Sequence, residues 1–261
     1  MKKLLTTLFI AMAGMAASSA ADTEFTIVSY NIHAGVGMDK KINLPRIADT
    51  LRKQNADIIV LQEVDNKTGR SGKVDQAAEL AKLLDMKFYF AQAMPYGGGG
   101  YGNAILSKFP LEKPRTLELV GGKEPRSAGM AEIVKNGRRV AVIGVHLDLQ
   151  TSTHPEHVKL ITEEAKKQAS ATTPIPVFFG GDFNAKEKSP IWKQLSKDWE
   201  QPKKQGPKNT FPSTGPKEEI DWFLYMPSSM ISLKEYKVIE EPMASDHCPI
   251  VLKVTVTENK K

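Results

Sequence analysis

The chain has 261 residues, of which 41% are hydrophobic and 25% are charged. This composition fits one large globular domain or two small ones, and the absence of a linker or a composition shift favours a single domain over residues 21–261. The only cysteine, Cys248, excludes an internal disulfide. The formal net charge of +6 becomes +4 without the two lysines of residues 1–20, an excess that tolerates an anionic partner without identifying one.

Residues 1–20 have the pattern of a secretory signal peptide. Two lysines precede an apolar run over residues 4–17, and small residues follow it up to Ala20. The run is too short to span a bilayer. We expect cleavage after Ala20 or Ala21 and a periplasmic or secreted protein without an integral membrane segment. An uncleaved anchor helix is the alternative.

The first part of the chain alternates between strand and helix patterns. Residues 24–30 alternate polar and apolar side chains and predict a strand that ends at Asn31. Apolar residues at helical spacing predict helices over 44–54 and 74–84. Between them, the apolar run over 57–61 predicts a buried strand that leads into Glu63.

The middle of the chain is rich in strand signals. Two short connections, 108–110 and 136–137, are typical of hairpins, and the glycine run over 97–100 is interpreted as a flexible surface loop. Residues 155–171 predict a helix. The predicted strands cover residues 87–91, 103–106, 116–120, 127–134 and 139–147.

The segment 174–185, PIPVFFGGDFNA, is the most informative stretch of the sequence. Its apolar run ends at two glycines and is followed by Asp182 and Asn184, as in a buried strand that carries polar residues to a ligand site. Further along, the sequence predicts a short helix over 191–195, a loop over 201–216 whose basic part is interpreted as solvated, and strands over 220–225 and 250–256. Helices mixed with hairpins predict an α/β sandwich of mixed sheets, with the helices outside.

Polar side chains recur where the predicted strands end or begin. They are nearly all Asp, Glu, Asn or His, and they suit a common site because a buried carboxylate needs a cation or an imidazole beside it. These positions are Asn31, Glu63, His146, Asp148, Asp182, Asn184, Asp221, Asp246 and His247.

Seven motifs resemble, in order and spacing, those of the endonuclease/exonuclease/phosphatase superfamily. They are SYNIHAG, VLQEVD, GNAILSKFPL, GVHLD, GGDFNA, TFPS with IDWFLY, and SDHCPI, and they span about residues 25–256. The resemblance implies a four-layer α/β/β/α sandwich of two face-to-face mixed sheets, and Mg²⁺- or Mn²⁺-dependent cleavage of a phosphoester.

The resemblance also implies roles for individual residues. Glu63, Asn31 and Asp246 would bind the metal, because carboxylate and amide oxygens suit a hard cation. Asp182 would orient or deprotonate the attacking water, and Asn184 would hold a phosphoryl oxygen. His146 and His247, the latter oriented by Asp221, would donate hydrogen bonds to the developing charge. We also expect Arg70, Asn103 and Arg126 to contact the substrate.

Other candidates have simpler explanations. His33 is expected near the site and Asp148 to turn the chain. His154 and His157 are expected at a solvated helix start, and Cys248 to be a buried small side chain.

The leading hypothesis is a monomeric, metal-dependent phosphoesterase that acts on a nucleic acid, a phospholipid or a small molecule. A nuclease, a sphingomyelinase-type phosphodiesterase and a non-catalytic binding module on the same fold remain as alternatives. The sequence does not distinguish a monoester from a diester substrate.

Overall fold

A computed structural model of the chain describes residues 22–257, so the predicted signal peptide lies outside the described residues. No helix within this range has the length and apolar content needed to cross a bilayer. The strands are β1 (Thr23–Asn31), β2 (Ile58–Asn66), β3 (Lys87–Tyr96), β4 (Gly99–Ser107), β5 (Leu111–Leu119), β6 (Arg126–Lys135), β7 (Arg138–His146), β8 (Val177–Asp182), β9 (Asp221–Met226), β10 (Ile231–Val238) and β11 (Ile250–Val256). The α-helices are α1 (Leu44–Arg52), α2 (Gln76–Leu84), α3 (His154–Ala169) and α4 (Ile191–Leu195).

The strands form two mixed sheets. The six-stranded sheet has the order β10-β11-β1-β2-β4-β3, and the five-stranded sheet has the order β5-β6-β7-β8-β9. Each sheet contains one parallel pair, β1 with β2 and β7 with β8. These pairs bring Asn31 beside Gln62 in one sheet and His146 beside Asp182 in the other. Each sheet therefore carries polar residues at the carboxyl ends of its parallel pair.

The two sheets pack face to face, and the helices cover their outer faces. The first four residues of β2 are all apolar because both faces of the strand are buried there. Ile58 and Val60 point into the core between the sheets, whereas Ile59 and Leu61 pack under α1 and α2. Helices α3 and α4 pack on the other sheet in the same way. The four-layer sandwich implied by the resemblance is confirmed.

The connections confirm one predicted hairpin and correct two other predictions. Residues 136–137 form the two-residue turn between β6 and β7, with positive φ at both positions. Residues 108–110 instead carry the chain from β4 in one sheet to β5 in the other, so the hairpin prediction is wrong there. Gly97 and Gly98 make the tight turn between β3 and β4, and residues 99–100 belong to β4, so this run is not a flexible loop.

One strand was not predicted from the sequence. Strand β10 pairs with β11 at the edge of the six-stranded sheet, but its register shifts between Leu233 and Glu235. Ile231 and Leu233 pack against the core between the sheets before this shift, and Tyr236 packs there after it. The bulge therefore interrupts the two-residue alternation on which the prediction of a strand depends.

Candidate active site

The polar ends of both sheets meet at one edge of the sandwich. In the five-stranded sheet, His146, Asp182 and Asp221 stand side by side at the end of β7, the end of β8 and the start of β9. A Cβ added to Gly181 would lie 1.9 Å from the carbonyl oxygen of Val145 on β7. The glycine before Asp182 thus lets β8 approach β7 closely.

Glu63 reaches this edge from a distorted part of β2. The register between β2 and β4 shifts between Leu61 and Val64, and Glu63 has a φ of 55°. A residue other than glycine adopts this left-handed backbone conformation only at a cost of about 1–2 kcal/mol. The bulge turns the Glu63 carboxylate toward Asn31, whose Nδ2 donates to Glu63 Oε1 at 3.0 Å.

Asp182 lies at the centre of the group and is 1% exposed. Its Oδ2 accepts from Asn31 Nδ2 at 3.1 Å, and its Oδ1 accepts from the backbone N–H of Asn184 at 2.9 Å. Burial raises the pKa of Asp182, and although the charge of His247 opposes this, the pKa reaches about 7. A carboxylate with this pKa is suited to accept a proton near neutral pH.

His247 is paired with a second buried carboxylate. Its Nδ1 donates to Asp221 Oδ2 at 2.9 Å, and the hydroxyl of Thr210 donates to the same oxygen. Burial alone would lower the pKa of His247, but the charges of Asp221 and Asp182 raise it to about 10. The imidazolium is therefore the form present at neutral pH, and its Nε2–H points toward Asp182.

His146 is held in one neutral form by Arg126. Burial, with the charges of Arg126 and His247, lowers the pKa of His146 well below its usual range. Arg126 Nη1 lies 3.0 Å from His146 Nδ1. Because a guanidinium only donates, Nδ1 must accept, and the ring proton resides on Nε2. His146 thus presents a second Nε2–H group to the site.

The two imidazoles flank the same carboxylate oxygen without bonding to it. His146 Nε2 and His247 Nε2 each lie 3.6 Å from Asp182 Oδ2, which is too long for a hydrogen bond. Both N–H groups therefore remain available to an oxygen atom of a ligand.

Three oxygen-bearing side chains offer a set of donors for a hard cation. The carboxylates of Glu63 and Asp246 line the same cavity, and neither has a Lys or Arg partner among residues 22–257. Asn31 joins them through its bond to Glu63. The hydroxyl of Ser245 donates to the Asn31 carbonyl at 2.7 Å, and its oxygen lies 3.3 Å from Asp246 Oδ1. The imidazole of His33 places Nδ1 3.7 Å from Asp246 Oδ1. Two acids without a Lys or Arg partner, together with an amide, fit Mg²⁺ or Mn²⁺.

A second group of candidate ligands lies beside the first. Asp182, Asp221 and His247 offer ligand atoms that all lie within 4.8 Å of one another. In this group, however, Nδ1 of His247 is engaged by Asp221. This hydrogen bond favours an acid–imidazole pair over a metal-binding site.

The site opens into a cavity of about 400 Å³. Seven of the predicted residues line it: Glu63, Arg126, His146, Asp182, Asn184, Asp246 and His247. Asn184 has a φ of 46°, so it is not in the extended conformation that the strand pattern predicted. Its backbone N–H bonds Asp182, its Nδ2 donates to the Leu147 carbonyl at 2.9 Å, and the side chain still faces the cavity. Asn31 and Asp221 lie directly behind this lining.

Two predicted substrate contacts lie away from the cavity. Asn103 is buried between the sheets, where its Nδ2 donates to the Ser127 carbonyl at 2.7 Å. Arg70 uses Nε and Nη2 on the buried carboxylate of Asp65, each at 2.8 Å, and its guanidinium covers the ring of Tyr96. Neither side chain lines this cavity.

Several site residues were not predicted. Tyr101 lines the cavity, and burial with the charge of Glu63 raises its pKa well above the usual range. Phe211 places its ring 4.9 Å from that of His247. Thr210 fixes Asp221. The TFPS motif contains both Thr210 and Phe211, and its match to the family is the signal from which they could have been predicted.

Three expectations about exposed residues are wrong. Lys204 belongs to the basic segment interpreted as a solvated loop, yet its side chain is buried against Glu219 and the Asp221 carbonyl. His154 and His157 are also buried at the start of α3. Their Nε2 atoms bond the carbonyls of Asp148 and Val120, respectively.

The sequence model of the Endonuclease/Exonuclease/phosphatase family matches residues 28–247. The chain belongs to this family of phosphoester hydrolases. It is similar to the Escherichia coli K12 protein YbhP, with 26% identity over 241 residues that cover 87% of this chain and 94% of YbhP. It is also similar to a 5′-tyrosyl-DNA phosphodiesterase of Caenorhabditis elegans, with 23% identity over 185 residues that cover 68% of this chain and 48% of that protein.

A solved structure shares the fold. The mannosyl-6-phosphatase Bt3783 of Bacteroides thetaiotaomicron has a TM-score of 0.72 and 17% identity, with coverage of 88% of this chain and 99% of that one.

Proposed function

We propose that the protein is a Mg²⁺- or Mn²⁺-dependent phosphoesterase that uses an activated water for in-line attack on phosphorus. The observation that carries the proposal is the pair of imidazole Nε2–H groups, each 3.6 Å from Asp182 Oδ2 and free of partners there. An oxyanion placed between them would accept both hydrogen bonds, and the acid beside them has a pKa near neutral.

The roles of the residues follow from their protonation states. Asp182, stripped of most solvent, accepts a proton from the attacking water. His247 carries a positive charge fixed by Asp221, and it stabilises negative charge on a non-bridging oxygen. His146 donates from the tautomer that Arg126 imposes. Asn184, which also lines the cavity, orients the phosphoryl group.

Glu63, Asp246 and Asn31 would hold the cation. When bound, a divalent ion would neutralise phosphoryl charge and help to orient the ester. The proposal is supported by two acids that face the cavity without a Lys or Arg partner in the described part of the chain. Without the ion, these acids would repel a phosphate, so the chain itself makes binding depend on the metal.

The bond cleaved is a phosphomonoester or a phosphodiester. The relatives include a phosphodiesterase and a structural neighbour named as a phosphatase. We further propose that residues 1–20 direct export and that residues 21–261 act as one catalytic domain in the periplasm or outside the cell.

The test is hydrolysis of p-nitrophenyl phosphate and bis-p-nitrophenyl phosphate by the purified protein with Mg²⁺ or Mn²⁺. We expect EDTA to abolish turnover and Asp182→Asn to lower kcat by about 10²–10⁴-fold. Glu63→Gln should raise the metal concentration required for half-maximal activity. Glu163→Gln, at an exposed glutamate of α3, is the matched control and should leave the rate unchanged. Metal-independent turnover, or full activity of Asp182→Asn, would refute the proposal.

A further inference from the structure

A second cavity adjoins the catalytic one. It has a volume of about 570 Å³ and lies between β3 and β5, the edge strands of the two sheets. We call it the edge cleft. Its lining includes Met94, Pro95, Thr116, Glu118, Lys123 and Arg126. Because Arg126 also lines the catalytic cavity, the two spaces meet at its side chain.

Arg126 has the properties of a junction residue. Its side chain is 4% exposed, and Nη1 lies 3.0 Å from His146 Nδ1 and 3.1 Å from Glu124 Oε1. Its Nε is buried without a hydrogen-bond partner. The guanidinium is fixed by His146 and Glu124 at the place where the two spaces meet.

The wall formed by β5 carries groups that hydrogen-bond to hydroxyls. Thr116 and Glu118 are two residues apart, so their side chains lie on one face of the strand. They pair with Gly129 and Ser127 of β6, and Ser127 Oγ donates to the Ala91 carbonyl of β3. This face of β5 is thus turned toward the other sheet. Tyr89 on β3 crosses the gap, with its hydroxyl 2.9 Å from Thr116 Oγ1.

The chemistry of the edge cleft disfavours two kinds of occupant. Glu118 is exposed and has no hydrogen-bond or ion-pair partner among residues 22–257. Its charge offsets that of Lys123, and Arg126 is paired with Glu124, so the cleft offers no excess of positive charge to a second phosphate. Among the lining residues that the structure describes, none is Phe, Tyr or Trp. A nucleobase would therefore lack an aromatic ring on which to stack. Met94 and Pro95 supply an apolar wall opposite Glu118.

We propose that the edge cleft binds the alcohol part of the phosphoester, and that this part is a neutral polyhydroxylated group such as a sugar ring. A carboxylate and a threonine hydroxyl hydrogen-bond to hydroxyls, while the ring's C–H face packs on the apolar wall. This inference rests on the proposed phosphoesterase function, because it assumes that the phosphoryl group occupies the catalytic cavity.

The experiment compares three ligands by calorimetry in Mg²⁺: inorganic phosphate, phenyl phosphate and glucose 6-phosphate. Asp182→Asn protein is used so that turnover does not consume the esters. We expect glucose 6-phosphate to bind about tenfold more tightly than inorganic phosphate, the equivalent of one hydrogen bond to a charged group. Adding Glu118→Ala and Thr116→Val should remove this advantage and leave the affinity for inorganic phosphate unchanged. Adding Glu163→Ala should change neither affinity.

The outcomes separate this inference from the function on which it rests. Equal affinities for the three ligands, tighter binding of phenyl phosphate, or an advantage that survives both edge-cleft substitutions would overturn the edge cleft as a hydroxyl-binding site. Wild-type hydrolysis of the p-nitrophenyl esters is measured in parallel. Hydrolysis without a glucose 6-phosphate advantage refutes only the edge cleft, whereas the advantage without any hydrolysis refutes only the catalytic function.

Discussion

Lys204 is a buried cation behind the acid–imidazole pair, and its replacement by methionine should destabilise the protein. Its side chain is fully buried. Nζ donates to Glu219 Oε1 at 2.9 Å and to the Asp221 carbonyl at 2.7 Å, and it lies 4.5 Å from the centre of the Trp222 ring. Methionine keeps most of the volume but leaves both oxygens without this donor.

The cost follows from the burial of the pair. Removing one partner of a buried ion pair costs about 3–5 kcal/mol, because the remaining charge stays desolvated. Glu219 is 10% exposed and keeps a weaker contact of 3.4 Å with Lys208. We therefore expect a loss near the lower end, about 3 kcal/mol. An exposed pair such as Lys186 with Glu218 contributes less than about 1 kcal/mol.

The assay is urea unfolding, followed by the fluorescence of the buried tryptophans. Lys204→Met should lower the unfolding free energy by about 3 kcal/mol, and the matched surface variant Lys186→Met by less than about 1 kcal/mol. The double variant Lys204→Met/Glu219→Leu should recover part of the loss, because it removes the stranded carboxylate. If Lys204→Met costs no more than Lys186→Met, the ion pair does not stabilise the fold and the reasoning fails.

Three further predictions concern the site. Asp221→Asn should lower the pKa of His247 from about 10, as measured by NMR titration in EDTA; an unchanged titration contradicts the pairing. Protonated His247 contributes fully to the stability of the fold below pH 6.5, and this contribution is lost as the pH rises through 10. In wild-type protein the unfolding free energy should therefore fall between pH 7 and 10, and in Asp221→Asn this fall should be smaller. Arg126→Met should release His146 from its Nε2–H tautomer, which ¹⁵N chemical shifts would show, and should lower kcat about tenfold or more. Arg138→Met is the control. An unaltered tautomer in Arg126→Met argues against the role of Arg126. Glu63→Gln should weaken Mn²⁺ binding by about 10-fold or more in calorimetry, since it removes one charged ligand, and unchanged affinity would exclude Glu63 from the metal set.

The sequence predicted the layers because each layer has its own pattern. Strands such as β2 are apolar on both faces, and helices such as α1 are apolar on one. Strand β10 was missed because its bulge at Leu233 and Glu235 breaks the alternation. The connection over residues 108–110 was misassigned because a turn pattern does not say which sheet the next strand joins.

The convergence of the acids and imidazoles on one cavity was predicted, since these residues follow strands and match family motifs. Their electrostatic environment was not. Lys204 looked solvated because its neighbours in sequence are basic, whereas its partners Glu219 and Trp222 come from the segment around β9. Likewise, the tautomer of His146 depends on Arg126, 20 residues earlier in the chain, and no local pattern relates the two.

The left-handed backbone of Glu63 also affects how the protein can evolve. Glycine at this position would relieve a backbone cost of about 1 kcal/mol, yet it would delete a carboxylate proposed to hold the metal. Selection for stability alone therefore favours loss of this acid, and selection for activity must retain it. Thermostable variants chosen without an activity screen are expected to collect substitutions at Glu63, and their stability and turnover should change in opposite directions.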